Sequence, residues 1–197
     1  MSGAPRLDVY YDYGSPFAYL AAELLPALAA RHGATLVWKP LAIGTLGSYI
    51  RYSPLKGKYV VLDVQRSAAY HGIPLAPPKP FPVQSGLALR AALAAQDAGL
   101  FEKLHPLLFR ATWAERRDVS SEAVVGQLIA AAGGDAADLL ARARRPDTEE
   151  RLAANAKEAE ARGAFGLPSV FLGDELFWGV DSFPQLEWRL RERATAP

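Results

Sequence analysis

Apolar residues come in short, strand-like runs near both ends of the chain and at helical spacing through the middle. The run "LDVYYD", Leu7 to Asp12, is rich in Val and Tyr and is followed by Gly14, the pattern of a buried strand that ends in a tight turn. From Pro16 to about Arg31, Phe17, Leu20, Leu24, Leu25 and Leu28 recur at helical spacing, and Gly33 ends the element. Pro26 is placed to bend it. The following "ATLVWKPL" predicts a second strand, parallel to the first through a right-handed βαβ crossover.

The middle reads as successive helices: "KYVVLDVQRSAAYHG", "SGLALRAALAAQDAG", "FEKLHPLLFRATWAE", "SEAVVGQLIAAAGG", "DAADLLARA" and "DTEERLAANAKEAEARG". Between Gly72 and Gln84 the proline-dense "IPLAPPKPFPV" continues neither helix nor central strand and reads as a stiff connector draped over something, without a domain boundary. After Gly163, "PSVFLG" and "ELFWG" flank Gly173–Asp174 and predict a hairpin with a two-residue type I′ or similar turn. A helix from Phe183 to about Arg193 closes the pattern. The order is a βαβ half and a ββα half with helices between them, an α/β class, without repeats or low-complexity tracts.

Composition narrows the function classes. The 197 residues are half hydrophobic, enough for a sizeable core. The 22 Lys and Arg against 21 Asp and Glu leave a formal charge of +1, which gives no field for phosphate backbones or anionic lipid; nucleic acid and membrane are not expected partners. With no cysteine, disulfides, thiolate metal sites and a cysteine nucleophile are excluded, and any thiol chemistry needs a sulfur brought by a ligand. There is no basic segment followed by an apolar run at the start and no window near the roughly 20 apolar residues of a membrane span, so a cytoplasmic enzyme or binding protein is expected.

Two local features could carry chemistry. Ser15 before Pro16 is the signature of a helix start, serine at the N-cap and proline at the first position. The same N-terminus offers free N–H groups and the positive end of a helix dipole, which stabilise an anion such as a thiolate. The residues alone leave both uses open. In "GAFGLPSVFL", Pro168 immediately precedes a strand. Either the Leu167–Pro168 bond is cis, with the Leu167 backbone free to pair with a peptide-like ligand, or Pro168 is a trans proline opening an edge strand.

Together, "YYDYGSPFAYL" and "GAFGLPSVFLGDELFWGVDSF" resemble the kappa-class glutathione transferases and, more closely, the 2-hydroxychromene-2-carboxylate isomerases, relatives of the disulfide oxidoreductase DsbA. The likeness also takes in "WKPLAIG", "KGKYVVLDVQRSA", "HGIPL", "FPVQSGLALRAAL" and "LFRATWAERRDVSS". It implies a thioredoxin-like fold with a helical insertion: residues 1–45 and 147–197 form the thioredoxin-like part and 46–146 the inserted helical domain. It also implies that Ser15-Pro16-Phe17-Ala18 stands where the oxidoreductases carry Cys-x-x-Cys. By the same resemblance Ser15 would hydrogen-bond the glutathione sulfur as the catalytic residue, and Leu167 before cis-Pro168 would bind the cysteinyl backbone. Asp181 with Ser182 would meet the γ-glutamyl end, and Lys56 the glycyl carboxylate. Phe17 and Trp113 would face a small aromatic substrate. The family often carries Asn-x-Pro-Pro before the lysine, where this chain reads "GTLGSYIRYSP", and an arginine where this chain has Ser182.

The implied function is a glutathione-dependent isomerase interconverting 2-hydroxychromene-2-carboxylate and trans-o-hydroxybenzylidenepyruvate in aromatic catabolism, in a family commonly found as homodimers. The rivals are a kappa-like transferase that leaves glutathione on an electrophile and a non-catalytic thioredoxin-fold protein that binds peptides or thiols at the cis-proline edge. His32, His71 and His105 stand singly, without partners at ligand spacing, and no metal is assigned. Phe109 and Trp113 share a helix face, ordinarily a core stripe, and "DTEERLAANAKEAEARG" reads as a solvated helix face.

Overall fold

A computed structural model describes residues 4–47, 53–79 and 81–195. Strand β1 (Arg6–Tyr11) leads into helix α1 (Pro16–Arg31), strand β2 (Thr35–Pro40) and a short 3-10 turn at Ile43–Thr45. Five helices follow: α2 (Pro54–His71), α3 (Gly86–Asp97), α4 (Phe101–Trp113), α5 (Glu122–Ala131) and α6 (Ala136–Ala143). Helix α7 (Pro146–Ala161) precedes the hairpin of β3 (Ser169–Leu172) and β4 (Glu175–Trp178), a 3-10 turn at Val180–Ser182 and α8 (Phe183–Thr195). Among the described residues no helix is long and apolar enough to cross a membrane.

The sheet order is β2-β1-β3-β4. β1 pairs parallel with β2, Val9 opposite Trp38, and antiparallel with β3, Val9 opposite Val170. This is the thioredoxin-like arrangement that the sequence resemblance implied, a mixed four-stranded sheet with helices on both faces. The period-two alternation of β1 explains how. Leu7, Val9 and Tyr11 point into the main core with α1, α3, α4 and α8, whereas Tyr10 packs with Phe171, Leu167, Ala156 and Ala159 beneath α7.

Helix α7 is therefore more than a solvated face. Its small residues let it lie on the sheet, while Glu158 and the adjoining Arg162 engage Lys39 and Asp8 at the rim. The hairpin has the expected two-residue loop, and its turn is II′-like rather than I′. Leu172 pairs with Glu175 across a two-residue loop, but only Gly173, at φ +65°, has positive φ, as in a type II′ turn. β3 pairs on both sides, so Pro168 does not open an edge strand. The Leu167–Pro168 bond is cis, and so is Phe81–Pro82, which the sequence pattern did not suggest.

Candidate active site

Ser15 sits where β1 ends and α1 begins. Extended backbone at φ −96°, ψ 118° and Pro16 in the first helical position make it a helix N-cap. Its hydroxyl oxygen accepts from the Ala18 N–H at 3.3 Å and its proton is donated to the Leu167 carbonyl, also at 3.3 Å. Cap and cis-proline loop are thus joined across 152 residues. Leu167, expected to be unpaired by neighbouring strands, stands just outside the ladder that begins at Ser169, and its carbonyl accepts from the Ser15 hydroxyl.

Ser15 opens onto a cavity of about 640 Å³, within the range of small-molecule sites. Helix α1 contributes Phe17, α2 contributes Lys56, Val60 and Val64, and the end of α4 contributes Trp113. The proline-rich connector lies over this cavity, lining it with Leu75, Pro77, Pro78, Phe81 and Pro82. Phe165, Gly166 and Leu167 close the side nearest the sheet. Five of the residues expected at the site, Ser15, Phe17, Lys56, Trp113 and Leu167, thus meet around one space. Trp113 is buried, and its indole N–H donates to the Tyr13 carbonyl at 2.8 Å. Its helical neighbour Phe109 packs behind it against Tyr13 and remains core.

The other three expected residues lie elsewhere. Pro168 is buried behind Leu167, and its carbonyl accepts from Gly179 N–H at 3.1 Å. Asp181 and Ser182, on the 3-10 turn after β4, line an adjoining cavity of about 510 Å³ with Gln185 and Trp188. Trp178 belongs to both cavities and forms the wall between them. Its indole lies over Gly166, where a Cβ would meet Nε1 at 2.7 Å, and its ring packs on Phe165 with centroids 5.1 Å apart.

Two participants escaped sequence reasoning. Trp178 read as an ordinary strand aromatic, although Gly166, two residues before the proline, marks the close approach it makes. Asp12 is 3% exposed and lines the Ser15 cavity. Burial pushes its carboxyl up from the ordinary carboxylate value, opposed by hydrogen bonds from Ile43, Ser85 and Gly14. Its signal was an acid placed directly after the buried run Val9–Tyr11. The histidines divide as surface and core: His32 meets Glu187 at 3.0 Å, His71 packs on Tyr70, and His105 is buried against Tyr13. Among the described residues no cluster of His, Cys, Asp or Glu could hold a metal.

Comparison with known proteins bears on the family and the fold. The DsbA-like thioredoxin domain family matches residues 6–191. The chain is 30% identical over 188 residues to a 2-hydroxychromene-2-carboxylate isomerase of Sphingobium xenophagum, covering 92% of this chain and 95% of that protein. A solved 2-hydroxychromene-2-carboxylate isomerase structure superposes with a TM-score of 0.83 at 27% identity, over 96% of each chain. A weaker likeness, 31% over 90 residues, reaches glutathione S-transferase kappa 1 of Caenorhabditis elegans, covering 41% of this chain and 38% of that protein.

Proposed function

Because the chain belongs to the DsbA-like thioredoxin domain family, alongside the 2-hydroxychromene-2-carboxylate isomerases, we propose that it is a glutathione-dependent isomerase interconverting 2-hydroxychromene-2-carboxylate and trans-o-hydroxybenzylidenepyruvate. The observation that carries this reading is Ser15, a hydroxyl on a helix N-terminus facing an apolar cavity in a chain that has no cysteine. A helix N-terminus and a hydroxyl donor together favour an anion, and in a chain without cysteine the anion suited to addition to a conjugated double bond is a ligand's thiolate.

The residues fit a thiol tripeptide. Ser15 can turn its proton from the Leu167 carbonyl to a sulfur anion, and Lys56 brings a cation for a carboxylate to the opposite wall. The Leu167 backbone is available for an amide, and Asp181 with Ser182 would take an amino-acid end in the adjoining cavity beyond Trp178. Held by these residues, glutathione would supply a thiolate for reversible addition to the conjugated double bond, with the ring hemiketal opening to ketone and phenol, so that the former double bond could rotate before the thiolate is expelled. Ser15 and the start of α1 lower the thiol pKa. Phe17, Trp113 and the proline-rich wall exclude water and hold the aromatic ring, presenting one face of the alkene to sulfur.

The test is turnover of 2-hydroxychromene-2-carboxylate with and without reduced glutathione, with total glutathione measured before and after. Glutathione-dependent conversion at constant total glutathione supports the isomerase. The partial likeness to the kappa transferase favours, as a second reading, conjugation to an electrophile, which would consume glutathione stoichiometrically. A melting temperature unmoved by millimolar glutathione would count against both, since a ligand of the native state stabilises by mass action.

A further inference from the structure

The Asp12 carboxylate takes three hydrogen bonds from three separate segments. Gly14 N–H donates to Oδ1 at 2.8 Å, Ser85 O–H to the same oxygen at 2.5 Å, and Ile43 N–H to Oδ2 at 2.8 Å. All three partners donate, the pattern of an ionised carboxylate. Burying such a charge is costly without this compensation, yet two of the partners lie 31 and 73 residues away. They belong to the turn that carries Ser15, the 3-10 turn after β2 and the start of α3 behind the Phe81–Pro82 bond. The first two line the Ser15 cavity at Gly14 and Ile43, and the third follows directly on its lining residues Phe81, Pro82 and Val83. Gly14 lies at the join: a Cβ there would be in van der Waals contact with Asp12 Oδ1 at 3.4 Å and the Val83 carbonyl at 3.6 Å. Ser85 stands at the N-cap of α3 but gives its hydroxyl to Asp12 and leaves the helix without a side-chain cap.

We propose that Asp12 is a positioning residue for the proposed thiol chemistry, fastening the Ser15 turn to two further cavity walls while its negative charge opposes over-stabilisation of the bound thiolate. The inference rests on the reading of Ser15 as the thiolate's partner. Ser15, the N-terminus of α1 and Lys56 all favour the anion, and a thiolate of falling pKa also loses nucleophilicity. A buried negative charge on the same wall works against them and keeps the thiol pKa nearer ambient pH, where attack and departure are both fast. Lys56, from α2, is the other ionisable residue lining this cavity among the described residues. Behind Asp12 stand the hydroxyls of Tyr11 and Tyr13, which burial keeps neutral by pushing their pKa values well up.

The test compares Asp12→Asn and Ser85→Ala with the unsubstituted full chain, using ultraviolet titration of bound glutathione and steady-state turnover per folded molecule. Asp12→Asn should lower the bound-thiol pKa by about one unit, since a nearby like charge is removed, and reduce kcat about tenfold because the Ser15 turn is no longer held. A merely structural role would not lower the thiol pKa. Ser85→Ala keeps the charge and removes one donor, so it should leave the thiol pKa in place and reduce kcat about threefold. A thiol pKa in Asp12→Asn equal to or above that of the unsubstituted chain overturns the assignment. If Asp12→Asn does not fold, unchanged turnover in Ser85→Ala overturns it. Glutathione that binds with unmoved pKa and turnover in both variants removes this assignment alone; an unsubstituted chain that binds no glutathione removes the reading of the cavity with it.

Discussion

The Ser15 hydroxyl donates to the Leu167 carbonyl at 3.3 Å while accepting from Ala18 N–H at the same distance, so one oxygen serves as helix cap and as link to the cis-proline loop. The two uses predict different consequences for Ser15→Ala. Loss of a cap alone costs about 1 kcal/mol of stability and leaves turnover per folded molecule nearly intact. Loss of a thiolate partner also raises the bound-thiol pKa and lowers the rate at neutral pH by about tenfold or more, the equivalent of a charged hydrogen bond of roughly 1.5–3 kcal/mol. The expected outcome is the second, with activity of the variant partly recovering as pH rises and solvent deprotonates the thiol unaided. Identical thiol pKa values in the two proteins would leave Ser15 a helix cap.

What the sequence made legible was local. Ser15-Pro16 announced the start of α1, and Gly173–Asp174 announced the hairpin, because capping and turn chemistry are decided within four residues. The helical block was legible from period alone, and the resemblance ordered it into a thioredoxin-like fold. What stayed hidden depends on contacts across the chain. Just after β1 the Asp12 carbonyl accepts from Ser15 N–H in a turn, while its carboxylate reaches across the chain to Ile43 and Ser85. No local pattern in "YYDYGSP" names those partners. Likewise the separation of Asp181 and Ser182 from the Ser15 cavity is made by the Trp178 side chain, whose position over Gly166 is a tertiary fact.

Gly166 tests that partition. A methyl group there would stand 2.7 Å from Trp178 Nε1 and force the half-exposed indole aside. Gly166 is not among the glycines with positive φ, so its backbone accepts alanine. Gly166→Ala should therefore change stability by no more than about 1 kcal/mol and weaken glutathione binding by about tenfold, or 1.4 kcal/mol. Tryptophan fluorescence together with calorimetric titration would check it. An altered emission with unchanged affinity would show that the Trp178 wall does not shape the ligand site.

Arg162 lies outside the cavity and offers the converse case. Its guanidinium donates to Asp8 at 2.8 Å and to the Gly173 carbonyl at 2.7 Å, and lies 4.0 Å from the centroid of the Phe171 ring. It clamps the end of α7 to the β3–β4 turn. Arg162→Ala should cost about 2 kcal/mol in denaturant unfolding, from charged hydrogen bonds and the cation–π contact. Arg162→Lys should recover little, because an ammonium cannot reproduce the planar fork. Turnover per folded molecule should be unchanged in both; a loss of activity at full folding would mean that the clamp transmits to the site.

His105 gives the fold a predictable acid sensitivity. Its ring is buried among Tyr11, Trp38, Phe101 and Phe109; Nδ1 lies 3.0 Å from the Tyr13 hydroxyl and Nε2 has no hydrogen-bond partner. Burial lowers its pKa from 6.5 to about 3. Between those values the unfolded chain binds a proton that the folded chain refuses. The histidine's contribution is therefore complete above pH 6.5 and declines as pH falls toward about 3, by at most about 1.4 kcal/mol per pH unit. His105→Gln keeps a polar partner for Tyr13 but does not titrate. It should cost stability at neutral pH by loss of aromatic packing, yet flatten the decline between about pH 6 and pH 4 by the share of one proton. Urea unfolding at a series of pH values measures both slopes, and parallel slopes would show that His105 takes up its proton without opening the core.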